Sequence, residues 1–424
     1  MEFTSVFRLR TDNEKKRSDL LEKLLEYERN LAFHANEAAL RRHDVLAKPA
    51  DLRSIQAALH KDEVLAEYVL DEPTAYCIAI TRDTVRIISL AAGSKRIKSL
   101  TEAFLADLTS KKSSQQLGTD LYQILLGDTA MPHRSRLIVA PDGILHLLPF
   151  ESLTSPDGLP VIFTQVVSYT PSATVRQRLR VSSKRPAPRP LLAVGAVDYG
   201  LMHSLSQSIG TRSVAASVIR GVAEFSGSRL QDLPGSRDEV LALGKIAGDG
   251  AELLLGQRDT ESEFKARRLS DFRVIHLAVH ATGDPQYPDR SALLLGTDGT
   301  TREDGLLQLR EIIRLPLRAD LVTLSACETG VGTPEGEEGV VSLEQAFLIA
   351  GARAVVASLW NVEDHSTTAL MTAFYKHLAQ GEDKAQALTQ AKRDILERYG
   401  NVAPYYWAGF VLVGEGAENV QLGW

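Results

Sequence analysis

Val274-Ile275-His276-Leu277-Ala278-Val279-His280 is a short apolar stretch, rich in branched side chains, that ends in a histidine. Leu321-Val322-Thr323-Leu324-Ser325-Ala326-Cys327 has the same character and ends in a cysteine. Stretches of this composition predict strands that are buried on both faces, as the strands of a parallel sheet are. Similar stretches at 191–197 and 354–359 alternate with segments of helical periodicity. The alternation predicts an α/β fold with a doubly wound, mostly parallel sheet and flanking helices.

Helical periodicity marks the segments 236–247, 340–350, 364–380 and 383–399. Gly351 is the predicted end of the second segment, because glycine readily adopts the left-handed conformation found after helices. A last strand is predicted at 407–413, and the first half of the chain contributes predicted strands at 64–70, 75–81, 85–90 and 136–140. In sheets of this kind, chemistry collects at the carboxyl ends of the strands.

The length of 424 residues exceeds what one ordinary hydrophobic core organises, so we expect more than one domain. The stretch 183–190 holds three prolines among charged residues, which predicts an extended linker. The predicted organisation is a helical segment at 1–48, a first domain at 49–182, the linker at 183–190 and a second domain at 191–424.

Bulk composition excludes some classes of protein. A net charge of −6 gives no reason to expect nucleic acid as a partner, and no stretch is apolar enough to predict a membrane span. The first residues lack the apolar stretch of a signal peptide, and two cysteines cannot form a disulfide framework. We therefore expect a reducing, cytoplasmic location, in which a free thiol can serve as a working group.

The two reactive side chains follow their predicted strands directly. If these strands are neighbours in a parallel sheet, His280 and Cys327 lie at the same edge. They are 47 residues apart with the histidine upstream, which matches the order in caspases and their spacing of about 50 residues. A thiolate attacks amide carbonyls, an imidazole protonates the leaving amine, and backbone N–H groups stabilise the oxyanion. The predicted roles are nucleophile for Cys327, acid–base partner for His280, and oxyanion donors for the N–H groups of Cys327 and Ala281.

Structural roles compete with catalytic ones, since a lone cysteine or histidine in a strand is usually a packed core residue. The joint placement of His280 and Cys327 favours catalysis. His276 lies on the same face of its strand four residues earlier, and we interpret it as a packed residue. Cys77 lies within an alternating strand and is predicted to be structural. His276, His280 and His365 lack the spacing of a zinc site, so no metal is expected.

Several segments resemble one family, in the family's order along the chain. They are 137–143, 148–153, 169–173, 233–240, 275–280, 324–330, 357–364 and 406–410. Together these motifs resemble the CHAT domain, a caspase-like domain that occurs with TPR repeats and is related to separase. The resemblance extends over roughly residues 50–415 and implies a caspase-like fold, a cysteine endopeptidase with a dyad of His280 and Cys327, and no cofactor. It also implies that 49–182 is an inactive caspase-like subdomain.

The chain departs from the family pattern in two ways. Ala281 stands where the family usually has glycine, which keeps the N–H but reduces conformational freedom. The helical segment 1–48 is too short for an array of 34-residue TPR repeats. The substrate-pocket candidates that accompany the resemblance are Ser325, Trp360, Asn361, Glu363 and Asp364.

The sequence leaves the activity open between three classes: a regulated bacterial endopeptidase, a catalytically silent scaffold for protein–protein interaction, and a thiol hydrolase such as an amidase. Partners in the first class are a protein substrate and an activating protein or TPR-containing region. The stretch 328–339 has one aliphatic residue, Val331, and is rich in glycine and glutamate, which favours control by a partner. Acidic residues near the expected site would favour a basic side chain at the cleaved bond; they are Glu328, Glu335, Glu337, Glu338, Glu363 and Asp364.

Overall fold

The structure, a computed structural model, describes residues 49–112, 115–128, 131–182, 186–199, 232–282, 291–297, 303–325, 337–360, 362–400 and 402–422. Of residues 337–342, 364 and 365 only the backbone is described. The predicted helical segment 1–48, Cys327 and Asn361 lie outside the described residues.

The strands in the described residues are β1 (Glu63–Val69), β2 (Tyr76–Ile80), β3 (Val85–Ser89), β4 (Arg136–Ala140), β5 (Val166–Tyr169), β6 (Arg189–Gly195), β7 (Glu252–Leu255), β8 (Phe272–Ala278), β9 (His280–Thr282), β10 (Ala292–Leu294), β11 (Leu306–Gln308), β12 (Leu321–Leu324), β13 (Ala354–Ser358) and β14 (Phe410–Gly414).

The α-helices there are α1 (Leu52–Ala57), α2 (Ser94–Thr109), α3 (Gln115–Leu125), α4 (Ala173–Val181), α5 (Pro234–Ala247), α6 (Glu261–Lys265), α7 (Leu309–Ile312), α8 (Glu337–Ala350), α9 (Asp364–Ala379) and α10 (Lys384–Tyr399). Short 3₁₀ turns join several of them, among them Gly143–Leu147 after β4. None of the described helices is both long and apolar enough to cross a bilayer.

One eleven-stranded sheet runs through the described residues in the order β3-β2-β1-β4-β5-β14-β13-β12-β8-β6-β7. On one side of the sheet β1, β4, β5 and β14 are mutually parallel, and on the other side β13, β12, β8, β6 and β7 are. The antiparallel pair β13–β14 joins the two sets. The two sets therefore present the carboxyl ends of their strands at opposite edges of one sheet.

The predicted mostly parallel, doubly wound sheet with flanking helices is confirmed, and most predicted elements lie within a few residues of the observed ones. The predicted last strand at 407–413 begins later, at Phe410, because Pro404–Tyr406 forms a 3₁₀ turn. The strand predicted at 191–197 begins earlier, at Arg189, so the last two residues of the predicted linker belong to β6. The sheet is continuous from the first half of the chain to the second.

Local chemistry explains where the helices begin and end. Asp383 accepts a hydrogen bond from the N–H of Gln386 at the start of α10, and Ser172 caps α4 in the same way through Val175. Gly351 follows α8 with φ of 115°, as predicted, and an added Cβ there would lie 2.4 Å from the carbonyl oxygen of Leu317. Glycine is thus required at this turn.

Helices cover the sheet and bury its apolar side chains. α5 packs on β6 and α9, α9 packs on α10, and α8 packs on β13. The strands β4, β12 and β13 are buried almost throughout, as the sequence predicts for strands covered on both faces.

A buried ion network fixes α4 against the joined sheet. Arg176 contacts Glu415, which follows β14, and lies 3.0 Å from Glu63 at the start of β1. Arg180 reaches the same two carboxylates at 3.0 and 2.8 Å. Burial lowers the pKa of the Arg176 guanidinium to about 10, with neighbouring Arg180 acting in the same direction. The first and the last strands of the parallel set are therefore linked by charge as well as by the sheet.

We predict that Glu415→Gln destabilises the protein by about 3 kcal/mol or more, because it leaves the buried guanidinium of Arg176 and the half-buried one of Arg180 to share one carboxylate. The measurement is urea unfolding of both proteins. Glu102→Gln is the matched control: its partner Lys98 is 3.9 Å away and both side chains are exposed, so the expected change is below about 0.5 kcal/mol. Equal effects of the two substitutions would contradict the network's role.

Candidate functional site

The strands that lead to the two predicted catalytic residues are neighbours. β8 and β12 pair in parallel, with Val274 opposite Leu321 and Leu277 opposite Leu324. The N–H of Ser325 continues the ladder and donates to the carbonyl oxygen of Leu277 at 2.9 Å. The carboxyl ends of both strands therefore lie side by side, as the sequence predicted.

His280 lies two residues beyond the end of β8 and begins β9. Its side chain is buried, and the imidazole packs on the phenol ring of Tyr199 with 4.6 Å between ring centroids and 51° between planes. Leu294 of β10 is its partner in the antiparallel pairing of the two strands. The imidazole is thus held at the edge of the main sheet by a second, three-stranded sheet of β9, β10 and β11.

The hydroxyl of Tyr199 joins these two strands. It accepts a hydrogen bond from the backbone N–H of His280 at 2.8 Å and donates one to the carbonyl oxygen of Leu294 at 3.0 Å. The N–H of Tyr199 donates to the Asp232 carboxylate at 3.0 Å, which fixes the residue shortly after β6. Tyr199 therefore holds the backbone of His280 from the segment that follows the neighbouring strand β6. Sequence reasoning missed it, because no local pattern relates residues that are 81 positions apart.

Ala281, the other predicted oxyanion donor, is buried within β9, opposite Leu293. The reason is that β10 provides an edge with which residues His280–Thr282 pair. The role of its N–H as an oxyanion donor stays a prediction.

Cys327 lies outside the described residues, which reach Ser325 on this side. Ser325 is buried and precedes Cys327 by two positions. The chain thus leaves the described region at the carboxyl edge of β12, beside the strand that leads to His280.

His276 and Cys77 are packed core residues, as the sequence predicted. His276 is fully buried in β8, where Nε2 lies 2.8 Å from the Glu239 carboxylate and Nδ1 lies 3.1 Å from the hydroxyl of Tyr375. Cys77 is buried in β2, and burial raises the pKa of its thiol to about 12. At neutral pH this thiol is protonated and unreactive.

The predicted pocket residues follow the ends of β12 and β13. Trp360 is buried, and its indole N–H donates to the carbonyl oxygen of Tyr405 at 3.1 Å while the two rings stack. Glu363 is exposed just before α9. Asn361 and the side chain of Asp364 lie outside the described residues. Ser325 and Trp360 are thus packed close to the strand ends, and Glu363 is the one acidic candidate whose side chain is described.

An acidic cluster elsewhere has the composition of a cation site. The carboxylates of Glu261, Glu303 and Glu311 lie within 4.8 Å of one another. The ammonium of Lys265 lies 2.7, 2.5 and 2.7 Å from them, so a cation from the chain itself already occupies the centre of the cluster. Burial raises the pKa of Glu261 to about 7, and the hydrogen bond from Lys265 opposes that shift. We assign this cluster a structural role.

The chain matches a known protein family over most of its length. The profile of the CHAT domain matches residues 111–415. The chain belongs to the CHAT domain family. The matched range begins in the turn after α2 and extends past β14, so it includes His280 and both strands of the candidate site.

The curated relatives of this CHAT protein are far longer than it. A stretch of 109 residues, 26% of this chain, is 33% identical to Tetratricopeptide repeat protein 28 of Homo sapiens, and it covers 4% of that protein. The protein of the same name from Mus musculus matches over the same length with the same identity. The similarity thus extends over a small part of each relative.

Among solved structures, the Saccharomyces cerevisiae separase–securin complex is similar in fold, with a TM-score of 0.50 at 9% sequence identity. The likeness covers 85% of this chain and 30% of that one. The predicted caspase-like fold class is confirmed, and at this identity the likeness concerns the fold alone.

We predict that Tyr199→Phe destabilises this CHAT protein by about 1–3 kcal/mol, because the N–H of His280 and the carbonyl of Leu294 lose their shared buried partner. The control is Tyr399→Phe at an exposed position, for which we expect no measurable change. Urea unfolding at neutral pH gives both values. If Tyr199→Phe is as stable as the unchanged protein, the hydroxyl bridge does not hold the two strands together.

Proposed function

We propose that this CHAT protein is a regulated cysteine endopeptidase that cleaves a protein substrate through a dyad of His280 and Cys327. The observation that carries the proposal is the parallel pairing of β8 with β12. It joins the strand that precedes the buried imidazole to the strand that leads toward the thiol. Membership in the CHAT family and the caspase-like fold support the same assignment.

In the proposed reaction the Cys327 thiolate attacks the carbonyl carbon of the scissile amide. The C–N bond then breaks, the protonated imidazole of His280 transfers its proton to the leaving amine, and a thioester remains. Water hydrolyses the thioester after giving a proton to His280, and the thiol is released with the carboxylic acid product. Backbone N–H groups of Cys327 and Ala281 are the proposed donors to the oxyanion that forms in each half of the reaction.

The residues around His280 suit this role. A buried imidazole packed on Tyr199 has few alternative orientations, and a fixed general acid reduces the entropy lost on reaching the transition state. The other cysteine of the chain, Cys77, is buried with a raised pKa, so it does not compete as a nucleophile.

A catalytically silent scaffold is the alternative from another class, and a thiol amidase is a third. A covalent peptide probe with a thiol-reactive group separates the first two, because a scaffold has no activated thiolate to label. A panel of peptides and small amides separates the endopeptidase from the amidase.

We predict that Cys327→Ala and His280→Ala each lower peptide cleavage by roughly 10³-fold or more, since each removes a member of a unit that acts together. Cleavage is measured as a proteome-wide profile of new peptide termini. Cys77→Ser is the matched control and should retain cleavage, with some loss of stability because a hydroxyl enters an apolar strand.

His280→Ala also affects stability. The buried imidazole of His280 packs on Tyr199, so its removal leaves a space in the packing and lowers the melting temperature. His280→Gln keeps more of the volume and is tested beside it. Cleavage by folded Cys327→Ala or His280→Gln at the level of the unchanged protein would overturn the dyad.

We also predict that the isolated chain cleaves slowly and that a TPR-containing protein partner accelerates it. Of the segment 328–339, directly after the proposed nucleophile, residues 337–339 begin α8 and residues 328–336 lie outside the described residues. By composition the segment has four glycines, four glutamates and one aliphatic residue, so it offers little apolar area to offset the entropy of ordering, and a partner can supply contacts. The matched relatives are tetratricopeptide repeat proteins by name, which suggests the class of partner.

The test compares cleavage rates with and without the TPR-containing protein and follows hydrogen exchange across 328–339. A rate that is already maximal without the partner, with exchange unchanged on adding it, contradicts this regulation.

A further inference from the structure

Glu344 of α8 differs from every other buried glutamate in the described part of the chain. The buried glutamates are Glu63, Glu151, Glu239, Glu261, Glu344 and Glu415. Five of them contact an arginine, a lysine or a histidine of the chain. Within the described residues, Oε1 of Glu344 is buried without a hydrogen-bond partner. A buried carboxyl group of this kind is costly unless a partner satisfies it.

Glu344 lines a small pocket. Its other walls include Pro141 and His146 after β4, Tyr169 and Pro171 at the end of β5, and Val411 of β14. The pocket thus lies at the carboxyl ends of β4 and β5, where open α/β sheets commonly bind ligands. Because β13 and β14 are antiparallel, this edge is opposite to the one that carries His280.

The described walls of the pocket carry no positive charge. Burial lowers the pKa of His146, which leaves its imidazole neutral at pH 7, although Asp142 opposes the shift. Tyr169, the other titratable side chain in the walls, uses its hydroxyl elsewhere: it lies 2.8 Å from the Glu151 carboxylate and accepts from the N–H of Phe150. Burial alone raises the pKa of Glu344 to about 8. A cation entering the pocket would therefore meet one acidic group and no competing charge.

We propose that this pocket binds a primary ammonium group, either of a free alkylamine or of a lysine side chain, with the Glu344 carboxylate as its partner. The small pocket favours a compact ammonium over a planar guanidinium. The chain satisfies Glu151 and Glu261 in the same way, through Lys392 and Lys265. At Glu344 the ammonium comes from outside.

The site is independent of the peptidase reaction, so its test uses the Cys327→Ala protein. Isothermal titration at pH 7 measures the binding of n-butylammonium chloride and of N-acetyl-lysine amide, with n-butanol and sodium chloride as controls for apolar and ionic effects. We expect saturable binding of at least one ammonium probe and of neither control. Tighter binding of n-butylammonium identifies a free amine as the source of the ammonium group, and tighter binding of N-acetyl-lysine amide identifies a lysine side chain.

Glu344→Gln in the same background should weaken binding at least tenfold, and Glu102→Gln, an exposed position, should not alter it.

A second readout, the release of a proton on binding, needs no variant at this site. Binding ionises the carboxyl group, so close to one proton is released per ammonium at pH 7, measured by titration in two buffers of different ionisation enthalpy. No saturable binding, or binding that releases no proton and survives Glu344→Gln, overturns the proposal and leaves the pocket to a water molecule.

Discussion

The candidate site depends on one constraint, the parallel register between β8 and β12. A shift of either strand by one residue would turn its side chains to the opposite face and break the contacts of His276 and Thr323 with the hydroxyl of Tyr375, so these buried polar contacts fix how the strands align. That alignment determines which residues stand at the carboxyl edge. Glu239 and Tyr375 hold the side chain of His276 within the sheet. His280, four residues later, lies just beyond the paired residues of β8 and begins β9.

The rest of the molecule holds this edge in place from outside the two strands. β10 pairs with the segment that carries His280, and Tyr199, which lies shortly after β6, forms hydrogen bonds to both backbones. The opposite half of the sheet contributes through β14, whose following residue Glu415 is locked to α4 by Arg176. Buried polar contacts thus connect elements that are distant in sequence, while the apolar pattern of each strand sets its local structure.

The sequence predicted the features that have a local cause and missed those that depend on contacts between distant residues. The strands β8, β12 and β13 and the helices α8 to α10 were predicted close to their observed ends, because periodicity, capping residues and Gly351 act locally. The pairing of His280–Thr282 with β10 was not predicted, since three-residue strands carry too little pattern. Tyr199 and Glu344 could not be found either: the importance of each lies in a contact, or a missing contact, with residues far along the chain.

The position of β14 has a consequence for how the protein folds during synthesis. Among the described strands it is the last along the chain, yet it occupies a central place in the sheet, between β5 and β13. Until Phe410–Gly414 leaves the ribosome, the two half-sheets each expose an unpaired edge, β5 on one and β13 on the other. Exposed apolar edges of this kind are the surfaces at which nascent chains associate wrongly. Completion of the sheet is therefore a late, long-range step, and a chaperone that shields those two edges would act at the stage where this chain is most prone to misassembly.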